Sequence, residues 1–499
     1  MSSILNPWRG LRCIAGCAAL LVAGCAVGPS FKPPPASPLA GYSAKPPAAT
    51  AATPGDSAGA AQRFQPGKDI PADWWRLFHC RSLDTLIAAA LKSNPSLQAA
   101  QAALRVARED VLAQRGAYFP AVSAGMAASR QKQSDLLAPT PNYPAVPNEF
   151  QYDLFTPELT ISYVPDVFGL SRRTVESLRA QEQSARFQMI AAWTTLSANV
   201  VATAVQAASL REQVQATREL VELQKRSLAI LQLRLQHGDA SALDVAAQRS
   251  QLAQAEATLP ALVKQLRQAE HALAALTGRF PDEPATATVS LSDLHLPEDL
   301  PLSLPSALVA QRPDVRQARA NLHAASAQIG IAAAQRLPSI QLTADAGSSA
   351  LAISELFGSG TGFWGIAASL TAPVFQGGQL LHQERAAKAA YVQAAQQYRG
   401  TVLAAFQNVA DTLAALQEDA QALQAASAAA RAAKRTLDLS QLQLQHGYIG
   451  VFELLAAEQA YQQARMTLAQ DEANRFADTA ALYQALGGGW WHSAGLNKP

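Results

Sequence analysis

The sequence has almost no excess charge of either sign. Forty Lys and Arg residues and 38 Asp and Glu residues leave a net charge of +2 over 499 residues. A protein that holds nucleic acid through bulk charge would be strongly basic, so nucleic acid is excluded as a partner.

Cysteine and charged residues are also scarce. Four cysteines, two of them among the first twenty residues, are too few for a disulfide framework. Charged residues make up 16% of the chain, well below the roughly 25% of an ordinary soluble protein. Ala, Gln and Leu take their place, and because these residues favour helices, we expect a mostly helical body.

Patterns that carry catalysis or bind a cofactor are missing as well. There is no glycine-rich phosphate-binding loop. Six of the eight histidines are scattered, without the spacing of metal ligands. An envelope enzyme therefore has no supporting site, and no catalytic residue, cofactor or metal is expected.

The N-terminus has the pattern of an export signal. Two arginines precede an apolar run that is too short to span a bilayer. The small residues Ala23 and Gly24 stand directly before Cys25, as in the lipobox of bacterial lipoproteins. The pattern predicts a signal peptide over residues 1–24 and lipidation of Cys25, whose acyl chains, palmitate among them, would anchor the chain. The alternative is an ordinary signal with Cys25 near the cut by chance.

The residues after Cys25 bear on where the anchored chain goes. By resemblance to lipoproteins of enteric bacteria, a residue other than Asp at this point, here Ala26, favours sorting to the outer membrane. Residues 29–67 are rich in Pro, Ala, Gly and Ser, a composition that cannot bury a core. We therefore expect residues 25–81 to form an extended, lipid-anchored tether.

The body of the chain contains an internal repeat. Asn94-Pro95 and Arg312-Pro313 lie 218 residues apart, and Leu235-Gln236-His237-Gly238 and Leu444-Gln445-His446-Gly447 lie 209 residues apart. Agreement at several points over so long a span is not expected by chance. The repeat predicts two copies over residues 82–278 and 304–488, a linker over 279–303 and a C-terminal tail over 489–499.

Each copy has the same order of elements: a helix, two short alternating segments, one very long helix, a glycine-containing corner and a returning helix. We expect the first helices over about residues 84–117 and 305–336. The long helices are expected over Leu170–His237, without Gly or Pro, and Gln379–His446, interrupted only by Gly400. Each would be on the order of 100 Å long. Apolar residues recur at spacings of four and three, so the long helices should pack lengthwise like a coiled coil.

The alternating segments predict strands. Ser339–Ala346 and Phe363–Pro373 place apolar side chains on one face and small or polar ones on the other. In the first copy, Val122–Ala128 and Leu159–Tyr163 alternate in the same way. About ten residues with one apolar face are typical of a transmembrane barrel strand. A half-buried sheet of a soluble protein would have the same pattern.

Four strands cannot close a membrane barrel, since the smallest have about eight. An open sheet edge in lipid leaves backbone groups unsatisfied, which costs several kcal/mol for each group. If the strands are transmembrane, several copies must share one barrel. Three copies would give twelve strands, with the long helices forming a tube beneath them.

Three short motifs accompany the two strand–helix units. They are Cys25-Ala26-Val27-Gly28-Pro29, Trp74-Trp75-Arg76-Leu77-Phe78 and Leu486-Gly487-Gly488-Gly489-Trp490. Together they resemble the outer-membrane efflux lipoproteins of the TolC superfamily, specifically the NodT/OprM-like group, over nearly the whole chain after the signal. Cys80 departs from that pattern and is interpreted as a free thiol without a role.

The resemblance implies a mainly α protein with membrane β structure, a trimeric channel-tunnel. Four strands from each chain share a 12-stranded outer-membrane β-barrel, and long coiled helices form a periplasmic α-barrel. The implied function is the passive exit channel of a tripartite efflux pump of the resistance-nodulation-division type that exports drugs or other small amphiphilic compounds. The implied partners are two further copies, a periplasmic adaptor (membrane fusion protein), an inner-membrane efflux transporter that supplies the energy, and outer-membrane lipid.

The helix corners resemble the periplasmic tips that meet the adaptor in this family. The adaptor-facing residues implied by the resemblance are His237, Gly238, Ser241, His446, Gly447 and Tyr448. Glycine suits the reversal of direction because it adopts positive φ. The two histidines occupy equivalent repeat positions, so a trimer would bring six imidazoles near one level. A metal ring is one interpretation, and a set of polar tip residues is the simpler one.

Asp244 and Glu453 align with the acidic positions around the family's closed periplasmic aperture. A ring of three Glu453 carboxylates would concentrate negative potential in a narrow pore and favour cations. Some relatives have a second acid one turn later, where this chain has Ala456, so a double acidic ring is not expected. The alternative is that both acids merely begin a helix, where the helix dipole favours them.

Two other functions share parts of this pattern. A periplasmic adaptor lipoprotein also has a signal, a Cys and long coiled helices. It would need compact β domains beside one hairpin, whereas here two hairpins each follow a strand pair. An outer-membrane conduit for type I protein secretion would have the same fold with a different inner-membrane partner.

Overall fold

The computed structural model describes residues 26–35, 42, 48–133, 150–283, 286–303 and 305–496. Cys25 and the predicted signal peptide lie outside these residues. The chain divides into two compact units. The first unit takes residues within Met1–Pro33, Arg105–Gln183 and Ala320–Gln396, and the second takes those within Pro34–Leu104, Ser184–Arg319 and Gln397–Pro499. Within the described part of the chain, no helix is both long and apolar enough to cross a membrane.

Helices account for most of the described residues. They are α1 (Arg81–Ser93), α2 (Pro95–Arg115), α3 (Leu170–His237), α4 (Ala242–Leu276), α5 (Pro305–Gln311), α6 (Pro313–Ala334), α7 (Gln379–Gln445) and α8 (Val451–Ala485). The strands are β1 (Arg63–Pro66), β2 (Ala121–Gln133), β3 (Phe150–Tyr163), β4 (Asp299–Leu302), β5 (Ser339–Ser348) and β6 (Gly362–Thr371). The two long helices have 68 and 67 residues, which confirms the prediction from the sequence.

The first helix of each copy is broken in two, so the prediction of a single helix was wrong at both places. One break separates α1 from α2 at Asn94, and the other separates α5 from α6 at Arg312. Asn94 has an extended backbone, with ψ at 122°, because the ring of a following proline clashes with a helical residue before it. Pro95 and Pro313 produce the same break in both copies.

Four antiparallel strands of the first unit form one sheet in the order β2-β3-β5-β6. The pairing of β3 with β5 joins the first copy of the repeat to the second. The sheet confirms the four predicted strands. Among the described residues, the outer edges of β2 and β6 have no partner strand.

Within the second unit, the long helices pack along apolar seams, as the heptad-like spacing predicted. In the first copy, Leu210 and Val214 of α3 are buried against Leu262 of α4. In the second copy, Leu437 of α7 is buried against Leu454 of α8. Each such leucine contributes about 1.5–3 kcal/mol by leaving water, so the seams hold each hairpin together along its length.

Residues 48–78 differ from the predicted extended tether, because they pack in the second unit. Strand β1 pairs in parallel with β4, which lies in the predicted inter-repeat linker. Trp74 and Phe78 are fully buried, and the Trp74 ring stacks on Tyr483 of α8 with 5.1 Å between the centroids. The composition suggested a tether because Phe64 is the one aromatic residue between residues 48 and 73, and the other buried aromatic residues lie at the C-terminal end of the segment.

Candidate functional site

One face of the four-stranded sheet carries large apolar side chains that are exposed in the single chain. Val122 of β2 is 62% exposed, and Trp364 and Ile366 of β6 are 78% and 79% exposed. Soluble proteins rarely leave so large an apolar surface open, and such a surface marks contact with a membrane or an apolar partner.

The strand register places these side chains in rows across the sheet. Val122 lies opposite Ile161, Ile161 opposite Ala344, and Ala344 opposite Ile366. Residues directly opposite each other project to the same face. The sheet therefore has one continuous apolar face, as the alternation predicted.

The other face of the sheet is polar. Ser123 lies opposite Thr160, Thr160 opposite Asp345, and Asp345 opposite Gly365. A Cβ at Gly365 would lie 3.0 Å from a carboxylate oxygen of Asp345, so the glycine leaves room for the charged side chain. A sheet with one apolar and one polar face is what a barrel strand presents to lipid and to an aqueous interior.

The two helix corners fold alike in the second unit. Gly238 has φ of 79° and Gly447 has φ of 74°, a region that residues with a Cβ rarely adopt. In each corner, the backbone N–H of the residue after the glycine donates a hydrogen bond to a carbonyl in the last turn of the preceding helix. The Asp239 N–H donates to the Arg234 carbonyl at 2.8 Å, and the Tyr448 N–H donates to the Gln443 carbonyl at 2.9 Å. The corners are thus equivalent turns, as the repeat predicted.

All six residues predicted to face the adaptor are exposed at these corners. Two apolar residues, Leu243 and Phe452, occupy equivalent positions in the next helical turn and are 67% and 45% exposed. Sequence reasoning missed them because an apolar residue in an amphipathic helix usually belongs to the core. Their exposure adds an apolar contact surface to the polar tip residues.

Asp244 completes a capping box at the start of α4. Its carboxylate accepts hydrogen bonds from the N–H and O–H of Ser241, at 2.9 and 2.8 Å, and its own N–H donates to Ser241 Oγ at 3.1 Å. The backbone hydrogen bond from Ser241 is the main cause that lowers the pKa of Asp244. Asp244 therefore makes the contacts of a residue that begins a helix, which was the alternative interpretation of this acid.

Glu453 lies at the equivalent position of α8 in a different setting. The residue that caps α8 is Gly450, which has no side chain to complete a capping box. The Glu453 side chain is exposed at the first turn of the helix. Of the two predicted aperture acids, Glu453 is therefore the one whose carboxylate is not taken up by a capping box.

No metal centre is found in the described residues, where no group of three or more His, Cys, Asp or Glu side chains is arranged to hold an ion. Cys80 is a buried free thiol, and burial raises its pKa. A protonated, buried thiol is a poor nucleophile.

The chain just after Cys25 is held in the first unit by one buried arginine. Arg173 of α3 donates through Nε to the Val27 carbonyl at 3.0 Å and through Nη2 to the Gly28 carbonyl at 3.1 Å. The Val27 N–H donates to the carbonyl of Phe168, just before α3, at 3.1 Å. These bonds fix the chain two residues after the predicted lipidation site.

Glu176 and His323 join Arg173 in a cluster of three side chains that we call the N-terminal clamp. The His323 ring stacks on Phe31 with 4.4 Å between centroids, and its Nε2 lies 2.9 Å from Glu176 Oε1. Burial raises the pKa of Glu176, but the hydrogen bonds with His323 and Arg173 outweigh burial and hold that pKa below its ordinary value. The clamp therefore keeps a charged carboxylate at its centre.

Sequence reasoning missed the clamp, although two glycines point to it. A Cβ added at Gly28 would lie 2.4 Å from the Cα of Gly330 in α6. Such an approach of two backbones is possible only for glycine. Gly28 was noted within the N-terminal motif, but the sequence does not reveal its partner in α6.

Both repeats of the chain match one family of known proteins. The family model described as outer membrane efflux protein matches residues 86–279 and 304–488. The chain belongs to this family. The match in two segments confirms the tandem duplication, and the family's members are outer-membrane efflux channels.

Individual relatives cover most of the chain. It is 30% identical over 419 residues to the pyoverdine export outer membrane protein OpmQ of Pseudomonas putida. That alignment covers 84% of this chain and 88% of OpmQ. It is 29% identical over 484 residues to the outer membrane protein OprJ of Pseudomonas aeruginosa, and the alignment covers 95% of this chain and 96% of OprJ. The open-state structure of the MtrE outer membrane channel of Neisseria gonorrhoeae superposes on this chain with a TM-score of 0.78 at 26% sequence identity. The superposition covers 93% of this chain and 98% of the MtrE chain.

Proposed function

We propose that three copies of this chain form one passive exit channel of a tripartite efflux pump in the outer membrane. The observation that carries the proposal is the four-stranded sheet, which has an exposed apolar face and, among the described residues, no partner strand at either edge. In lipid, each unsatisfied backbone group costs several kcal/mol. Pairing β6 of one copy with β2 of the next removes these edges and closes a barrel of twelve strands.

The two faces of the sheet then take different roles. The row that contains Val122 and Ile366 faces lipid, and the row that contains Ser123 and Asp345 faces the channel. The long helices of the three copies form the periplasmic tube. The helix corners meet a periplasmic adaptor through the six polar tip residues together with Leu243 and Phe452.

The chain supplies a route and no energy. An inner-membrane transporter of the resistance-nodulation-division type drives export, and the chain catalyses no reaction and needs no cofactor. The cargo consists of drugs or other small amphiphilic compounds. Relatives named for efflux of solvent and toluene and for pyoverdine export support this class of cargo.

The channel is anchored by lipid as well as by its strands. Signal peptidase removes residues 1–24, and acyl chains on Cys25 enter the outer membrane. The N-terminal clamp holds the following residues against the first unit, and the repeats over 82–278 and 304–488 form the channel. Glu453 and Asp244 line the periplasmic aperture, where a ring of carboxylates favours cations.

Two matched variants in β6 test the proposed lipid and channel faces. In a strain that lacks the chain, we expect ethidium to accumulate and wild-type protein to restore its efflux. Ile366→Lys should fail to restore efflux, because a lysine on the lipid face costs about 2–4 kcal/mol near the bilayer midplane. Ala367→Lys, one residue along on the polar face, should restore efflux.

Three outcomes would contradict the proposal. Equal activity of the two lysine variants would show that the apolar face is not in lipid. Normal ethidium efflux in the deletion strain, with loss of a secreted protein from the medium, would favour the type I secretion conduit. Recovery of the protein in the water-soluble periplasmic fraction would favour an adaptor.

A further inference from the structure

A cavity of about 310 Å³ lies near the helix corners of the second unit, and no step of passive export uses it. Helices α3, α4, α7 and α8 all contribute to its wall. Much of the wall is aliphatic, with Leu223 and Leu231 from α3, Leu444 from α7 and Leu454 from α8. Its volume is at the lower end of the roughly 300–1,000 Å³ typical of small-molecule sites.

Two buried polar side chains also line this cavity. Glu458 of α8 is 2% exposed, and its Oε2 has no hydrogen-bond partner among the described residues. Gln248 of α4 is fully buried; its Nε2 donates to the Gln224 carbonyl at 3.1 Å, and its Oε1 has no hydrogen-bond partner in the part of the chain that the structure describes. Both free atoms are acceptors, and buried acceptors are normally satisfied.

Burial raises the pKa of Glu458 to about 7. The carboxylate is therefore available in part at neutral pH, and a cationic donor beside it would favour the charged form further. The other charged residue in the wall is Arg234, which is exposed, so its repulsion of a cation is screened by solvent.

We propose that this cavity binds a small amphiphilic amine in its protonated form. The side chains of Glu458 and Gln248 turn towards the cavity, so that the ammonium group donates to Glu458 Oε2 and Gln248 Oε1, and the apolar body packs on the leucines. An anion would face two acceptors, and a neutral apolar compound would leave the carboxylate buried without a partner. A bare metal ion is disfavoured, since no group of three metal-ligating side chains is present among the described residues.

This site is formed within one copy of the chain, so the proposal does not depend on the trimer. The probe is 1-naphthylmethylamine, a primary amine on an apolar ring system that is protonated at neutral pH. The matched neutral compound is 1-naphthylmethanol, which keeps the ring and replaces the ammonium. Titration calorimetry on the detergent-solubilised full chain measures the affinity for both.

We expect the amine to bind at least tenfold more tightly than the alcohol. Glu458→Gln keeps the shape of the side chain and removes its charge, and it should weaken amine binding at least tenfold. Ser227→Phe keeps Glu458 and fills the cavity, and it should abolish binding of both compounds. The control is Glu222→Gln, an exposed acid on α3 next to the wall residue Leu223, which should bind the amine like wild type.

Equal affinity for amine and alcohol would overturn the proposed ammonium contact. Wild-type amine affinity in Ser227→Phe would overturn this cavity as the location. Equal loss in Glu222→Gln and Glu458→Gln would show that the amine responds only to surface charge. Circular dichroism on each variant separates loss of binding from loss of folding, and the two cavity variants act by different means, so failure of one to fold leaves the other as the test.

Discussion

The Arg475 guanidinium donates through Nη1 to the carbonyl oxygen of Ala58 at 2.6 Å. Its Nη2 also donates to Thr50 Oγ1 at 3.1 Å and to Gln62 Oε1 at 3.2 Å. Arg475 is 0% exposed, so these bonds form away from bulk water. A charged side chain of α8 thus holds the segment whose composition suggested a free tether.

Replacing Arg475 with Met should destabilise the second unit strongly. The change leaves the Ala58 carbonyl and Gln62 Oε1 without the donor that Arg475 supplies, while Thr50 Oγ1 keeps the Gln62 N–H. A buried acceptor left unsatisfied costs about 1–3 kcal/mol. Urea unfolding of the detergent-solubilised protein measures the loss. Arg465→Met, on an exposed ion pair of the same helix, should change the free energy of unfolding by less than about 1 kcal/mol. Equal midpoints for the two variants would contradict the anchoring role.

A pair of acidic side chains in the same unit should make stability depend on pH. Burial, followed by a hydrogen bond and repulsion from Asp419, raises the pKa of Asp478 to about 7. Its unfolded pKa is about 3.9, so the folded state binds the proton more tightly between these values. The contribution to stability is therefore fully present below about pH 4 and is lost as pH rises towards about 7.

Asp478→Asn removes this titration and should flatten the pH dependence of thermal unfolding between about pH 4 and 7. Its midpoint should exceed that of wild type mainly at the alkaline end, because the amide cannot ionise. Asp438→Asn removes an exposed acid that pairs with Lys434 and should keep the wild-type slope. A slope unchanged by Asp478→Asn would show that the pair does not titrate in this range.

Arg173→Gln should loosen the N-terminal clamp without unfolding α3. The variant loses the hydrogen bonds to the Val27 and Gly28 carbonyls, so the amide of Val27 should exchange with deuterium faster than in wild type. Hydrogen-exchange mass spectrometry on residues 26–31 measures this. Arg179→Gln, an exposed arginine on the same helix, is the control, and equal protection in both variants would argue against the clamp.

Cys25→Ala should abolish lipid attachment, because no thiol remains to carry an acyl chain. Metabolic labelling with palmitate, followed by purification of the chain, reads this out directly. The Arg173→Gln variant should retain the label, since the clamp acts after lipidation. Label retained in Cys25→Ala would place the modification elsewhere.

Glu453→Ala should weaken the preference of the channel for cations. Removing three carboxylates from a narrow aperture lowers the negative potential there. Reversal potentials in planar bilayers under a salt gradient measure the change. Glu222→Ala removes an exposed acid of α3 away from the corner and serves as control. Cation selectivity that survives Glu453→Ala would remove the proposed ring from the aperture.

Much of the fold follows from periodic patterns in the sequence. The long helices and the strands could be predicted because each pattern repeats over many residues, and the duplication allowed each copy to support the other. The breaks at Pro95 and Pro313 follow from a local rule, and these residues were noted only as markers of the repeat. The packing of residues 48–78 could not be predicted, because its main partner, Arg475, lies in the last helix.

The candidate sites also include features that the sequence predicts and features that it does not. Gly238 and Gly447 mark the corners because a reversal of direction needs positive φ, and the Ser241 to Asp244 spacing is that of a capping box. The inward position of Glu458 has no such signal, since α8 carries glutamate and glutamine on several faces. Only the packing of four helices shows which of these side chains is buried without a hydrogen-bond partner among the described residues.

The most direct test of the shared barrel is the mass of the unheated complex after extraction from outer membranes in detergent. The full chain has a mass of 52.7 kDa, and light scattering corrected for detergent should give about three times the mass of the processed chain. A complex of that size, in the outer-membrane fraction, is the predicted result. A single chain that stays in solution without detergent would contradict both the barrel and the membrane role of its strands.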